Sequence, residues 1–311
     1  SRMHSQTTTG NRPPACSMPA FRKSCAHTQR NYCMHSILSP EISTLLTLLL
    51  YSVAGVLGMI GMICRSIRVR RLAAVSAVAG IVFQTIILFT GFHAQTEGGL
   101  SVGAYLQMLA WFLVLCGIGL WIFMKQETPV IFASIFSLLL YGFSAPTLAI
   151  IVRVPDTFKT SFYALHVGPF FLSLALITLA FAAGVIFLYL DYRIKAKLPL
   201  PHFIQDMPAL SILDKINALS TLAGFPLYTI GLVCGFFYAA PVFGGTVTGD
   251  PKQIVTLFTW ALYAILFHNR LARGWRGRKP AKMMILIFTL SALSFIVVNL
   301  FMNSHHAFIR N

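Results

Sequence analysis

From residue 42 onward the chain alternates long apolar runs with short polar punctuation. Eight runs have the length and composition of spanning helices: 42–64, 72–92, 102–124, 130–152, 168–190, 218–240, 254–271 and 281–302. A helix that crosses a bilayer needs about 20 mostly apolar residues. The runs are Leu-, Ile-, Phe- and Ala-rich and lack the two-residue alternation of barrel strands. The stretches 93–101, 153–167 and 241–253 fall on one side of this pattern, as does the tail from 303. The longest stretch on the other side, 191–217, is broken by Pro199 and Pro201, and 206–217 is predicted to form a short surface helix. The predicted fold is therefore all-α, a polytopic membrane helix bundle of about eight transmembrane helices. Its integral membrane domain covers 37–311. Residues 1–36 mix Ser, Thr, Pro, Arg and Cys without an apolar centre. They are read as a disordered tail or a mis-set start, with Met34 the better start.

Composition agrees with the pattern. The 311 residues are 57% hydrophobic and only 10% charged, which excludes an ordinary soluble domain. The net charge of +16 raises nucleic acid as a partner, but its distribution argues against it. Fifteen Lys and Arg residues fall in or beside the junctions after the first, third, fifth and seventh runs, and four fall on the opposite side. The positive-inside rule then makes the basic loops cytoplasmic and puts both termini outside. The expected location is the cytoplasmic (inner) membrane of a bacterium, with the lipid bilayer and its anionic headgroups against the basic side, and no nucleic acid. The six cysteines show no CxxC spacing and carry no zinc or redox motif.

The candidate chemistry lies in histidines at the ends of the runs. An imidazole at a membrane boundary is costly without a partner, so each is a candidate functional residue. His166 precedes the fifth run, whose helix is predicted to start at Gly168-Pro169; His305 and His306 follow the eighth on the same side. Two neutral imidazoles can fill the axial positions of a haem iron, and this set can supply them. The alternative is that these histidines are solvated surface residues. Asp250-Pro251-Lys252-Gln253 has the grammar of a helix start, with Asp250 as N-cap and Pro251 at the first helical position. Upstream, aromatic residues lead through Phe243 to Gly244-Gly245, a loop whose backbone can approach a flat ligand closely. Asp250 is either a cap alone or part of that site. His268 follows 14 apolar residues, 254–267, which cover about 21 Å, so it is expected inside the hydrocarbon boundary. His93 is either a membrane-level ligand or a snorkelling boundary residue. Hydropathy puts His93 at the outer side and His268 at the inner side, which opposes a direct pair. His202, beside Pro201, is read as solvated.

Taken in order, several stretches resemble a known family. They are Leu165-His166-Val with Ser173-Leu-Ala, Leu213-Asp214-Lys-Ile-Asn217 leading to Gly224-Phe225-Pro226-Leu227, and Asp250-Pro251-Lys252 with Trp260. Phe267-His268-Asn-Arg270 and Gly274-Trp275-Arg276-Gly277-Arg278 complete the set. Over roughly 40–306 the chain resembles the cytochrome c assembly family of haem-handling membrane proteins, in its eight-span HemX-like and CcsA-like branch. The resemblance implies that His166 and either His305 or His306 are axial ligands of haem b, and that His268 and His93 are the membrane histidines. It also implies a tryptophan-rich loop before the Asp-Pro-Lys turn; here the corresponding positions read Phe243, Val247 and Gly249. That departure points away from an autonomous haem lyase and toward the HemX-like side.

The sequence reading is thus a haem-handling integral membrane protein in cytochrome c maturation or haem supply. It is not an enzyme on its own but at most part of a cytochrome c haem-lyase complex. Its expected partners are haem, a second maturation membrane subunit and apocytochrome c. The alternative is a HemX-like membrane regulator of glutamyl-tRNA reductase level, for which the basic stretches 191–217 and 270–282 would matter more. A quinone-linked cytochrome b would place paired histidines on one helix, which no run does. An ion-coupled transporter would carry carboxylates inside its spans, and none is found there.

Overall fold

The computed structural model describes residues 40–94, 100–147, 151–152, 161–198, 208–243 and 251–294. Among them are eight helices: α1 (Pro40–Ile63), α2 (Ile67–Ala94), α3 (Val102–Met124), α4 (Thr128–Thr147), α5 (Ser161–Lys195), α6 (Leu210–Phe243), α7 (Pro251–Ala272) and α8 (Arg278–Leu293). Seven of them, α1 to α7, are long and apolar enough to cross a membrane. The last eight residues of the eighth predicted run, 295–302, lie outside the described residues. The fold is a polytopic helical bundle, as the apolar runs require. All contacts described below lie within the compact unit that begins at Thr44.

Helix boundaries follow local chemistry. Ser101 caps α3 by accepting a hydrogen bond from Ala104 N at 3.1 Å. The last turns of α1, α3 and α5 are followed by Arg65, Lys125 and Lys197 in the left-handed region, with φ of 53°, 57° and 51°. A cation there complements the negative end of the helix dipole. The fourth helix is shorter than its apolar run. It ends at Thr147, one residue after Pro146, and the β-branched Ile151–Val152 forms a strand instead. This strand, β2, pairs antiparallel with β1 (Leu100–Ser101).

Two helices extend beyond their predicted spans. The expected separate surface helix at 206–217 does not form; α6 runs unbroken for 34 residues, about 51 Å. Its first turns are held in by burial of Leu213 and Ile216 and by a polar cluster at Asp214 and Asn217. Likewise α5 starts at Ser161 rather than at Gly168, so Pro169 lies inside it. Packing on α6 outweighs the one helical hydrogen bond that Pro169 removes.

Helix α5 is the central element, packing most extensively on α6 and also on α3 and α8. One core cluster joins α1 to α5 with the first turns of α6; a second joins α5, α6, α7 and α8 around Tyr228 and Tyr263. A buried polar chain crosses the first four helices. Tyr51 donates to Gln84 Oε1 at 2.5 Å, Gln84 Nε2 to the Gln107 carbonyl at 2.8 Å, and Gln107 Nε2 to Ser144 Oγ at 3.2 Å. Helix direction alternates along the chain. Ion pairs tie Arg70 to Glu127, Asp214 to Arg270 and Asp191 to Arg278 at one end. The β1–β2 ladder and the start of α5 lie at the other.

Candidate functional site

At the end opposite the ion pairs, His166 sits in the second turn of α5, facing α6. Its Nδ1–H donates to the Gly231 carbonyl at 2.6 Å. That bond selects the tautomer with its lone pair on Nε2, the arrangement by which a backbone carbonyl orients a metal-ligating histidine. The close approach depends on two glycines of α6. A methyl group at Gly235 would lie 2.6 Å from His166 Cε1, and one at Gly231 would lie 2.9 Å from Phe170 Cβ. Phe170 stands 6.1 Å from the His166 ring and 4.8 Å from that of Tyr228. The imidazole is therefore half-buried, oriented by backbone and backed by aromatic surface.

The other predicted residues divide by place. Phe243 is the last residue of α6, and α7 begins at Pro251, the position predicted from Asp250-Pro251. Asp250, His305, His306 and His202 lie outside the described residues, as does the side chain of Phe243. His93 is the penultimate residue of α2, at the end of the bundle that holds His166. His268 is exposed on α7, about 26 Å along the axis from Pro251, toward the opposite end. The fold thus keeps His93 and His268 at opposite ends, as hydropathy indicates.

At the ion-paired end, motifs that are scattered in sequence form one unit. Arg270 Nη2 meets Asp214 Oδ1 at 3.0 Å and Asn217 Oδ1 at 2.6 Å, and Arg270 Nη1 donates to the Trp275 carbonyl at 3.1 Å. Gly277 N donates to Asp214 Oδ1 at 3.0 Å, and Asn217 Nδ2 to the Ala180 carbonyl at 3.2 Å. Gly274 and Gly277, with φ of 63° and 75°, allow the 273–277 turn to fold back onto this cluster. Sequence reasoning did not assign this role. The available signal was a carboxylate in a chain that holds only eight Asp and Glu residues. Its partner lies 56 positions away.

Set beside known proteins, the chain matches the model of the family described as cytochrome C assembly protein over residues 41–306. It is similar to the cytochrome c biogenesis protein CcsA of Mesostigma viride, with 31% identity over 104 residues, 33% of this chain and 34% of that protein. It is also similar to the CcsA of Prochlorococcus marinus, 41% identical over 88 residues, 28% of each chain. Against CcsA of a Synechocystis species the identity is 35% over 104 residues, 33% of this chain and 31% of the relative. The aligned stretch thus spans about a third of these relatives. The family match covers most of the chain, and the chain belongs to the cytochrome c assembly protein family.

Proposed function

We propose that this protein is a haem-handling integral membrane protein acting in cytochrome c maturation or haem supply. The observation that carries the reading is His166, whose Nδ1–H is held by the Gly231 carbonyl at 2.6 Å. An imidazole so oriented is a suitable axial ligand for haem b, with His305 or His306 supplying the second. Its setting is consistent with that role: the ring packs closely on Gly235, and Phe170, seated on Gly231, adds an aromatic ring beside it. When bound, haem would supply the iron and the porphyrin vinyl groups; thioether formation on an apocytochrome c would need that partner and a second membrane subunit. The chain's own part is to orient His166, exclude water with the aromatic surface, and fix the bundle end that carries it. The cytoplasmic membrane of a bacterium, with the basic end inside, is the location this reading takes. The names of the CcsA relatives support cytochrome c biogenesis as the process.

The test is the absorption spectrum of detergent-purified protein with a pyridine-haem assay. His166→Ala should lose a low-spin bis-imidazole spectrum, and so should the combined His305→Ala and His306→Ala variant. Added imidazole should restore part of it, because a free ligand fills the vacated position. His202→Ala should leave it unchanged. A His166→Ala protein with wild-type spectrum and haem content would overturn the outer-site reading. The HemX-like regulator of glutamyl-tRNA reductase level would then take its place.

A further inference from the structure

We infer that the basic hollow at the α7–α8 turn binds the phosphate of an anionic phospholipid headgroup. The hollow has a volume of about 490 Å³ and opens between the end of α5 and the 273–279 turn. Its lining includes Lys195, Arg273, Arg276, Arg278 and Lys279 against one carboxylate, Asp191. Asp191 is already engaged by Lys195 Nζ and Arg278 Nε, each at 3.1 Å. Arg273 and Arg276 have no carboxylate partner among the described residues, and both are exposed. Lys279 Nζ lies 5.5 Å from the centre of the Trp275 ring and has no carboxylate partner among the described residues. Five cations around one shared carboxylate are complementary to a phosphate, which guanidinium groups bind through paired hydrogen bonds.

The hollow is also preorganised. Gly277 N is tied to Asp214, and the Trp275 carbonyl to Arg270, so the turn that carries three of the arginines is fixed to α6 and α7. A rigid site spends less of its binding energy on ordering itself.

Position decides for a lipid rather than a soluble phosphate compound. The hollow lies where the spanning helices α5 and α7 end. Leu271 and Ile194, in the last turns of those helices, are 68% and 52% exposed, an apolar surface along which acyl chains can lie. Trp275 also lines the hollow, and tryptophan is enriched at the headgroup level of membrane proteins. Basic pockets between helices on this kind of face bind anionic headgroups. The inference does not depend on haem; it needs only a membrane-embedded bundle.

The experiment is native mass spectrometry of delipidated, detergent-purified full-length protein titrated with phosphatidylglycerol or phosphatidylcholine of equal chain length. The wild type should prefer phosphatidylglycerol. The Arg273→Gln/Arg276→Gln variant should lose about 20- to 30-fold in phosphatidylglycerol affinity, the effect of two near-surface cations. Arg68→Gln/Arg71→Gln removes the same charge from exposed positions on α2 and should change affinity by less than about threefold. Equal losses in the two variants would overturn the inference in favour of a diffuse field. Binding of inorganic phosphate alone with the same dependence on Arg273 and Arg276, or its displacement of the lipid, would overturn the lipid source. If the double variant unfolds, Lys279→Gln serves instead, with a loss of about fivefold expected and no loss counting against the site.

Discussion

Arg270 of α7 and Asp214 of α6 form a two-point ion pair, Nη2 to Oδ1 at 3.0 Å and Nη1 to Oδ2 at 3.4 Å. The arginine side chain is only 4% exposed and the aspartate side chain 19%. A guanidinium that deep is tolerable because Asn217 and the Trp275 carbonyl accept further hydrogen bonds from it. The pair therefore joins two helices to the turn that leads into α8.

Removing one partner should be severe. Arg270→Met leaves Asp214 inside the fold without its cation, at an expected loss of about 3–5 kcal/mol. Thermal unfolding in detergent measures it. Replacing both residues with apolar side chains should lose less than Arg270→Met alone. A single-variant loss below about 1 kcal/mol would mean that the pair is solvated rather than buried.

The second prediction concerns the polar chain of the first four helices. Gln84 is fully buried, accepting from Tyr51 and donating to the Gln107 carbonyl. Gln84→Leu should cost about 1–2 kcal/mol by leaving the Tyr51 hydroxyl without its acceptor. Tyr51→Phe made together with Gln84→Leu should recover part of that loss. Additive losses, measured by the same unfolding assay, would show that the two side chains act independently.

The apolar runs revealed the helices because a bilayer-spanning helix needs a length of apolar residues that few other structures use. The fifteen-to-four cation split marked the end of the bundle at which the ion pairs lie. Hydropathy also separated His93 from His268 correctly, since the two helices run in opposite directions. What the runs could not show was pairing between side chains distant in sequence. Arg270 finds Asp214 only because α6 begins about two turns before its apolar run, in a stretch whose charged residues cut the run short. His166 was legible as a candidate. Its orientation was not, because the partner is a backbone carbonyl that any residue possesses, exposed here by the glycines at 231 and 235.

The third prediction exploits a backbone constraint. Lys125 is exposed and holds φ at 57°, a conformation that costs a non-glycine residue about 1–2 kcal/mol. Lys125→Gly should relieve that strain while losing the cation at the end of α3 and adding freedom to the unfolded chain. The net expectation is a gain of up to about 1 kcal/mol. Lys125→Ala should bring no such gain. A lower melting temperature for the glycine variant would show that the dipole contribution outweighs the strain.

The fourth prediction is topological. A reporter inserted at Gly274, in the α7–α8 turn, should lie in the cytoplasm, and one at the C-terminus on the opposite side. Gly274 is an exposed turn residue, and because its φ of 63° favours glycine the reporter is inserted beside it rather than in its place. Reporters responding from the same side would remove the eight-span arrangement, and a Gly274 reporter outside would invert the assignment of the basic end.

The fifth prediction separates the two glycines that face His166. A methyl at Gly231 meets Phe170 Cβ at 2.9 Å and the His166 carbonyl at 3.1 Å, so α5 and α6 must move apart. Gly231→Ala should therefore lower stability by about 1–3 kcal/mol. A methyl at Gly235 meets instead the His166 ring, Cε1 at 2.6 Å and Nδ1 at 2.8 Å. A ring can swing more easily than a helix can shift, so Gly235→Ala should cost less stability but break the bond to the Gly231 carbonyl. Nitrogen chemical shifts of labelled histidine would then show loss of the fixed Nδ1–H tautomer, and haem retained on purification would fall with it. If the tautomer changes while the haem content does not, His166 is a packing residue and not a ligand. If neither variant changes anything, the contact between α5 and α6 is looser than these glycines imply.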